Sequence, residues 1–113
     1  MKPGDIHMLF AQYQAEKNID GLVSLYDEDA IFVTEAGEEM KGHEQIREAL
    51  KPFVEIKMQG TGRTMHIAGD TTFVKLNWNV IEGESSRPAV ALEVLKQKED
   101  GRWVYLIDSP FGG

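Results

Sequence analysis

From Val54 onward the pattern of residues changes to long strands separated by tight-turn signals. Nothing else in the sequence constrains the fold as strongly. Val74, Leu76, Trp78 and Val80 alternate with Lys75, Asn77 and Asn79, the two-residue period of a strand with one face buried and one in water. Segment 56–67 runs into Gly69-Asp70, and segment 88–97 runs into Glu99-Asp100-Gly101; both are hairpin turns. Gly83-Glu84-Ser85-Ser86 is a loop, and Trp103 to Asp108 is the last strand. Four strands in hairpin succession make an antiparallel sheet, which must cover one face with something from the first half of the chain.

That half is mainly helical. Ile6, Leu9, Phe10 and Tyr13 share one helical face, with Asp5 as N-cap and Asn18 as the stop. A second short helix is expected from Asp20, carrying Leu22, Val23, Leu25 and Tyr26 and ended by the acidic run Asp27-Glu28-Asp29. Ala30 to Thr34 reads as a strand, Glu35-Ala36-Gly37 as a turn, and 38–41 as its partner strand. Gly42 opens a third helix, His43 to about Phe53, with Ile46, Ala49, Leu50 and Phe53 inward and Pro52 at its end. The order is helix, helix, strand, strand, helix, then four strands. The fold class is therefore α+β, with about six strands and three helices, and residues 1–113 form a single domain with no repeat or linker.

Composition removes several function classes. With no cysteine, disulfides, thiolate zinc sites and a cysteine nucleophile are excluded. Twelve basic against nineteen acidic residues give a formal net charge of −7, which repels nucleic acid and favours solubility. The stretch after Met1-Lys2-Pro3-Gly4-Asp5 lacks the apolar run of a signal peptide, and no run is long enough to span a membrane, so a cytoplasmic location is expected. His7, His43 and His66 have no ligand-like spacing, and the Asp27-Glu28-Asp29 run lacks the spaced ligands of a calcium loop; no metal is expected. No phosphate loop and no Ser-His-Asp order is present, so no cofactor is expected either.

Several spaced motifs resemble one family. The segment Asp20-Gly21-Leu22-Val23-Ser24-Leu25-Tyr26-Asp27-Glu28-Asp29-Ala30-Ile31-Phe32 is similar to the passage from the first helices into the first strand of nuclear transport factor 2-like proteins. Lys41-Gly42-His43-Glu44-Gln45-Ile46-Arg47 resembles their third-helix start, and Gly69-Asp70 and Glu99-Asp100-Gly101-Arg102-Trp103 match two of their turns. The ending Tyr105-Leu106-Ile107-Asp108-Ser109-Pro110-Phe111-Gly112 looks like a branch related to SnoaL-like proteins and ketosteroid isomerases. The resemblance implies a cystatin-like fold, with a cone-shaped, mostly antiparallel sheet wrapping a pocket against the helices. It also implies a homodimer through the sheet. The fold hosts isomerases, cyclases, hydrolases, dehydratases and adaptors, so it does not fix a reaction.

Ketosteroid isomerase needs a general base and two oxyanion-stabilising acids. Aligning the Asp20-Gly21 and Asp29-Ala30 anchors puts Phe10 at its tyrosine donor and Thr34 at its aspartate base; counting back from Gly101 puts Glu93 at its second acid. Two of three roles are lost, which excludes that mechanism.

Glu93 lies among Val90, Leu92, Val94 and Leu95, where a carboxylate either faces solvent or enters the interior with a raised pKa. Asp108 ends the last strand, either towards the pocket on a face shared with Val104 and Leu106 or as a cap on the Ser109-Pro110 turn. Tyr13 carries a hydroxyl one turn from the donor position. Phe10, Phe32, Phe53, Trp78 and Leu106 are the expected walls. Ketosteroid isomerase register would turn Lys75, Asn77 and Asn79 inward in place of Val74, Leu76 and Trp78; the apolar alternation is preferred because buried Lys and Asn need partners.

Two functions follow. One is a small-molecule pocket protein binding an apolar ligand, with isomerase, cyclase or lyase chemistry in which Glu93 is acid or base and Asp108 or Tyr13 its partner. The other is a non-catalytic dimeric module for ligand carriage or protein interaction.

Overall fold

The computed structural model describes residues 2–113. Helices α1 (Asp5–Ala15) and α2 (Ile19–Ser24) lead into strands β1 (Tyr26–Val33) and β2 (Glu39–Lys41). Helix α3 (Gly42–Leu50) and a 3-10 turn (Lys51–Val54) follow, then β3 (Lys57–Ala68), β4 (Thr71–Glu82), β5 (Ser85–Gln97) and β6 (Trp103–Ser109). The strands form one sheet in the order β2-β1-β6-β5-β4-β3, antiparallel except where β1 runs parallel to β6. This is the α+β arrangement expected from the pattern, with hairpins turning at Gly69 (φ 61°) and Gly101 (φ 87°), conformations that a Cβ disfavours.

The helix ends differ from expectation. Asn18 is not a stop but the N-cap of α2, its Oδ1 accepting the Gly21 N–H at 2.9 Å; Asp20 sits inside the first turn and binds Arg47 Nη1 at 2.6 Å. Helix α1 ends at Ala15, and the left-handed Lys17 (φ 54°) turns the chain. Asp5 opens α1, whose cap is Gly4. The larger correction concerns the acidic run. Asp27-Glu28-Asp29 does not end a helix but belongs to β1, where Tyr26 pairs with Tyr105 and Ile31 with Ile107, so the run between them bulges from the ladder. Buried Asp27 is held there by Lys98 Nζ at 2.6 Å, and this bond is the main reason its pKa is lowered. Tyr26 is therefore a strand residue.

The core lies between the helices and one face of the sheet. Val74, Trp78 and Val80 are buried on that face while Lys75 and Asn77 are exposed on the other, so the apolar alternation decides the register. Ile6, Leu22, Ile46 and Leu50 reach over it from the three helices, each with 0% exposure. Burial of such a side chain is worth about 1.5–3 kcal/mol, enough to make the helical cover a cooperative part of the sheet. Tyr13 supports the cover from outside. Its ring lies so close to Gly21 that an added Cβ there would meet Cδ1 at 2.5 Å.

Candidate functional site

Glu93 and Asp108 stand directly opposite each other in the β5–β6 ladder, both turned to the covered face, with 4% and 5% exposure. Their neighbour on that face is Tyr105, and the reason it is there is a bulge. Val94 pairs with Ile107 but Leu95 pairs with Tyr105, which leaves Leu106 as an extra residue in β6. Tyr105 and Asp108, an odd number of residues apart, thereby share one side of the sheet. Simple alternation had put Leu106 on that side. The bulge removes it from the cavity wall, and Leu106 is not among the lining residues.

These groups form the polar end of a cavity of ≈ 140 Å³ between α1, the 3-10 turn and the sheet. The walls are apolar and include Phe10, Phe32, Phe53, Met58, Leu76 and Trp78. Of the residues singled out in the sequence, Glu93, Asp108, Phe10, Phe32, Phe53 and Trp78 meet here; Tyr13 and Leu106 do not. Tyr13 fails because α1 presents a different stripe. His7, Phe10, Ala11 and Gln14 face the cavity at i, i+3, i+4, i+7, whereas Tyr13 packs on Gly21. Gln14 ties this stripe down, donating through Nε2 to the Phe53 carbonyl at 2.7 Å. Trp78 donates Nε1–H to the Pro110 carbonyl at 2.8 Å, so its ring edge is fixed beside the cavity.

The polar end has its own bonding pattern. The Tyr26 hydroxyl donates to Asp108 Oδ2 at 2.5 Å. Tyr26 is held in turn by His43, whose Nε2 lies 2.7 Å from the Tyr26 carbonyl, and by its ring against Tyr105 at 4.8 Å. His7 Nε2 lies 2.6 Å from Glu93 Oε1, and His7 Nδ1 lies 2.8 Å from Arg63 Nη1 on β3. Among the described residues no group hydrogen-bonds the Tyr105 hydroxyl, although burial and the carboxylates push its pKa up and keep the phenol protonated. Burial, and then the Glu93 charge, push Asp108 well above the ordinary carboxylate range, with the Tyr26 hydrogen bond pulling the other way. The arrangement presents two carboxyl groups, of which burial and the neighbouring charge push Asp108 toward its neutral form, and a neutral phenol to one small molecule.

Sequence reasoning did not assign His7, Arg63, Tyr26 or Tyr105 to this cluster. The available signal for His7 was its helical spacing with Phe10 and Gln14; for Tyr105 there was none, because a bulge leaves no mark in the pattern of residues. Among the described residues no three His, Asp or Glu side chains converge as a metal-ligand set.

The architecture places the chain in the nuclear transport factor 2-like, cystatin-like class of α+β domains. It resembles a proposed ketosteroid isomerase from Shewanella frigidimarina NCIMB 400 (TM-score 0.82, 11% identity, 95% of this chain and 92% of that one). It also resembles a nuclear transport factor 2-like protein of unknown function from Pseudomonas putida KT2440 (TM-score 0.81, 14% identity, 94% and 80%). A third likeness is to a proposed dehydratase of the same family from Streptomyces avermitilis (TM-score 0.77, 16% identity, 95% and 92%). At these identities the likeness is one of fold. The sequence itself goes further: the SnoaL-like domain model matches residues 8–106, and the chain belongs to that family. No curated protein matches it. Among the described residues no helix is long and apolar enough to cross a membrane.

Proposed function

We propose that the cavity binds a small, mostly apolar molecule carrying a carbonyl oxygen, and that Glu93 and Asp108 move a proton on it. The observation that carries this reading is the pair of buried carboxyl groups facing each other across β5 and β6 at one end of an apolar cavity. Two such groups are costly to bury, and a fold that needed only a core would fill the space with leucine. Glu93 takes a proton from the carbon α to the substrate carbonyl. Asp108 as the neutral acid, with the Tyr105 hydroxyl, donates hydrogen bonds to the carbonyl oxygen as charge develops on it. Returning the proton to another carbon is isomerisation; where the substrate carries a β-hydroxyl, expelling it as water with a proton from Asp108 is dehydration. The names of two structural neighbours, a proposed isomerase and a proposed dehydratase, support that pair of chemistries.

The cavity's size argues for the substrate class. It is close to the ~150 Å³ of engineered cavities that take up benzene. A single ring or a short branched chain fits.

The test is hydrogen exchange at carbon. Single-ring enones and ketones are incubated with the protein in heavy water and followed by NMR. The expected result is deuterium at the α-carbon with the native protein and none with Glu93→Gln. Ligands that bind while no α-exchange occurs would establish the alternative, a non-catalytic carrier.

We also propose that a second copy of the chain covers the outer sheet face. Phe73, Val94, Ile107 and Ile31 lie in one cross-strand row there, and Phe73 and Ile107 are 44% and 37% exposed.

A further inference from the structure

The hydrogen-bond chain from Arg63 through His7 to Glu93 has a direction. An arginine guanidinium carries only donors and does not release its proton. Arg63 Nη1 lies 2.8 Å from His7 Nδ1 and 3.0 Å from the Gly4 carbonyl, so it donates to both, and Nδ1 must offer its lone pair. The imidazole proton is then on Nε2, and the ring is neutral; an imidazolium would set an N–H against an N–H. Nε2–H points along the 2.6 Å contact to Glu93 Oε1, which therefore accepts. What looks like a histidine–glutamate ion pair is a neutral donor with an arginine behind it.

This polarity separates the two buried carboxyls. Glu93 ends a chain whose far end is a full positive charge, anchored at the more open rim where His7 is 14% exposed. The hydrogen-bond partner of Asp108 is the neutral Tyr26 hydroxyl; with the two carboxyls about equally buried, at 4% and 5% exposure, their partners are what set them apart. Both donors are neutral, but the His7 N–H is polarised by the Arg63 cation behind it, and hydrogen bonds in such a chain strengthen one another, so the negative charge settles on Glu93. The groups facing the pair are Arg63 on β3, His7 on α1, Tyr26 on β1 and Tyr105 on β6; of these the only permanent charge is Arg63.

We infer that Arg63 and His7 are positioning residues that fix where the pair's shared proton resides, holding Glu93 ionised as the base and leaving Asp108 protonated as the acid. This rests on the proton-transfer reading above but assigns roles that the carboxylate pair alone leaves interchangeable. Neither residue needs to touch substrate.

The proton's place can be read without any substrate. The full chain is labelled with carboxyl-¹³C aspartate in one sample and carboxyl-¹³C glutamate in another, and the infrared band of a buried protonated acid is recorded at neutral pH. The expected result is an isotope shift of that band in the aspartate sample, absent in Asp108→Asn, with no shift in the glutamate sample. In ¹⁵N NMR, His7 is expected as the neutral Nε2–H tautomer, and Arg63→Met is expected to abolish that single state. His7→Phe should move the band to the glutamate label, and His7→Gln, which retains an N–H donor, should restore it to aspartate. A glutamate-shifted band in the native protein, or a His7 that is imidazolium or Nδ1–H, overturns the assignment. That failure is distinct from failure of the function. With α-exchange intact it would swap the roles of the two acids, whereas a correct proton assignment without exchange would leave a binding site.

Discussion

Replacing Asp108 with asparagine isolates what it costs to keep that acid buried. Asparagine retains a carbonyl oxygen for the Tyr26 hydroxyl and nearly the same volume; only the ionisation is lost. In the native fold, burial and the Glu93 charge hold Asp108 in its protonated form. In the unfolded chain it releases its proton near ~3.9. Between that value and the raised one, the folded protein binds one proton more than the unfolded chain, so stability falls as pH rises. The slope for one proton is about 1.4 kcal/mol per pH unit for as long as Asp108 stays protonated. The sign is opposite to that of Asp27, whose pKa is lowered mainly by Lys98 and whose contribution is present above the ordinary value and lost toward acid. Asp108→Asn has no such slope. Its advantage over the native chain should therefore grow with pH and become a large share of a domain stability of about 5–15 kcal/mol. Urea unfolding from about pH 4.5 to about pH 8 measures it, with Trp78 and Trp103, 2% and 4% exposed, as fluorescent reporters of the core. Native and variant curves that run parallel across that range would refute the reasoning, because they would mean that Asp108 is ionised in the fold.

Other perturbations have equally definite outcomes. Thr72 is 0% exposed and its hydroxyl has no partner among the described residues; Thr72→Val should raise stability by about 1 kcal/mol in thermal or urea unfolding. Gly21→Ala sets a helix-propensity gain of about 1 kcal/mol against a Cβ that meets three Tyr13 ring atoms at 2.5–2.8 Å, and the clash, costing about 1–3 kcal/mol, should win in the same assay. Leu50→Ala empties a site with 0% exposure and should cost about 2–5 kcal/mol. Ile107→Lys on the outer sheet face should convert a dimer to a monomer in analytical ultracentrifugation while the thermal midpoint of the monomer stays unchanged; a monomeric native protein would remove the second-copy proposal.

What could be read from the chain follows the range of the forces involved. Strand β4 was legible because a sheet with one dry face writes its period into the residues, and Val74 to Val80 carry it without a break; the others were placed by the turn signals on either side of them. The short helix α2 was legible as an element but misplaced at both ends, since Asn18 is equally good at stopping a helix and at capping the next. Tyr26 and the acidic run continue a helical pattern locally. Only pairing with β6 and the Lys98 contact, from the other end of the chain, pull them into a strand. In the site, Glu93 stood out as a lone carboxylate in an apolar run. His7 did not, because what gives it meaning is Arg63 and Glu93, neither of them near it in sequence.

The extra residue at Leu106 has a consequence for how such cavities change over time. A ladder counts in twos, so one inserted residue inverts the parity of everything on one side of it. Deleting Leu106 would restore unbroken pairing with β5 and send either the Tyr105 phenol or the Asp108 carboxyl through to the far face. Lineages sharing this scaffold can thus acquire or discard a polar group in the interior by a single-codon insertion or deletion, without altering the residue that does the chemistry.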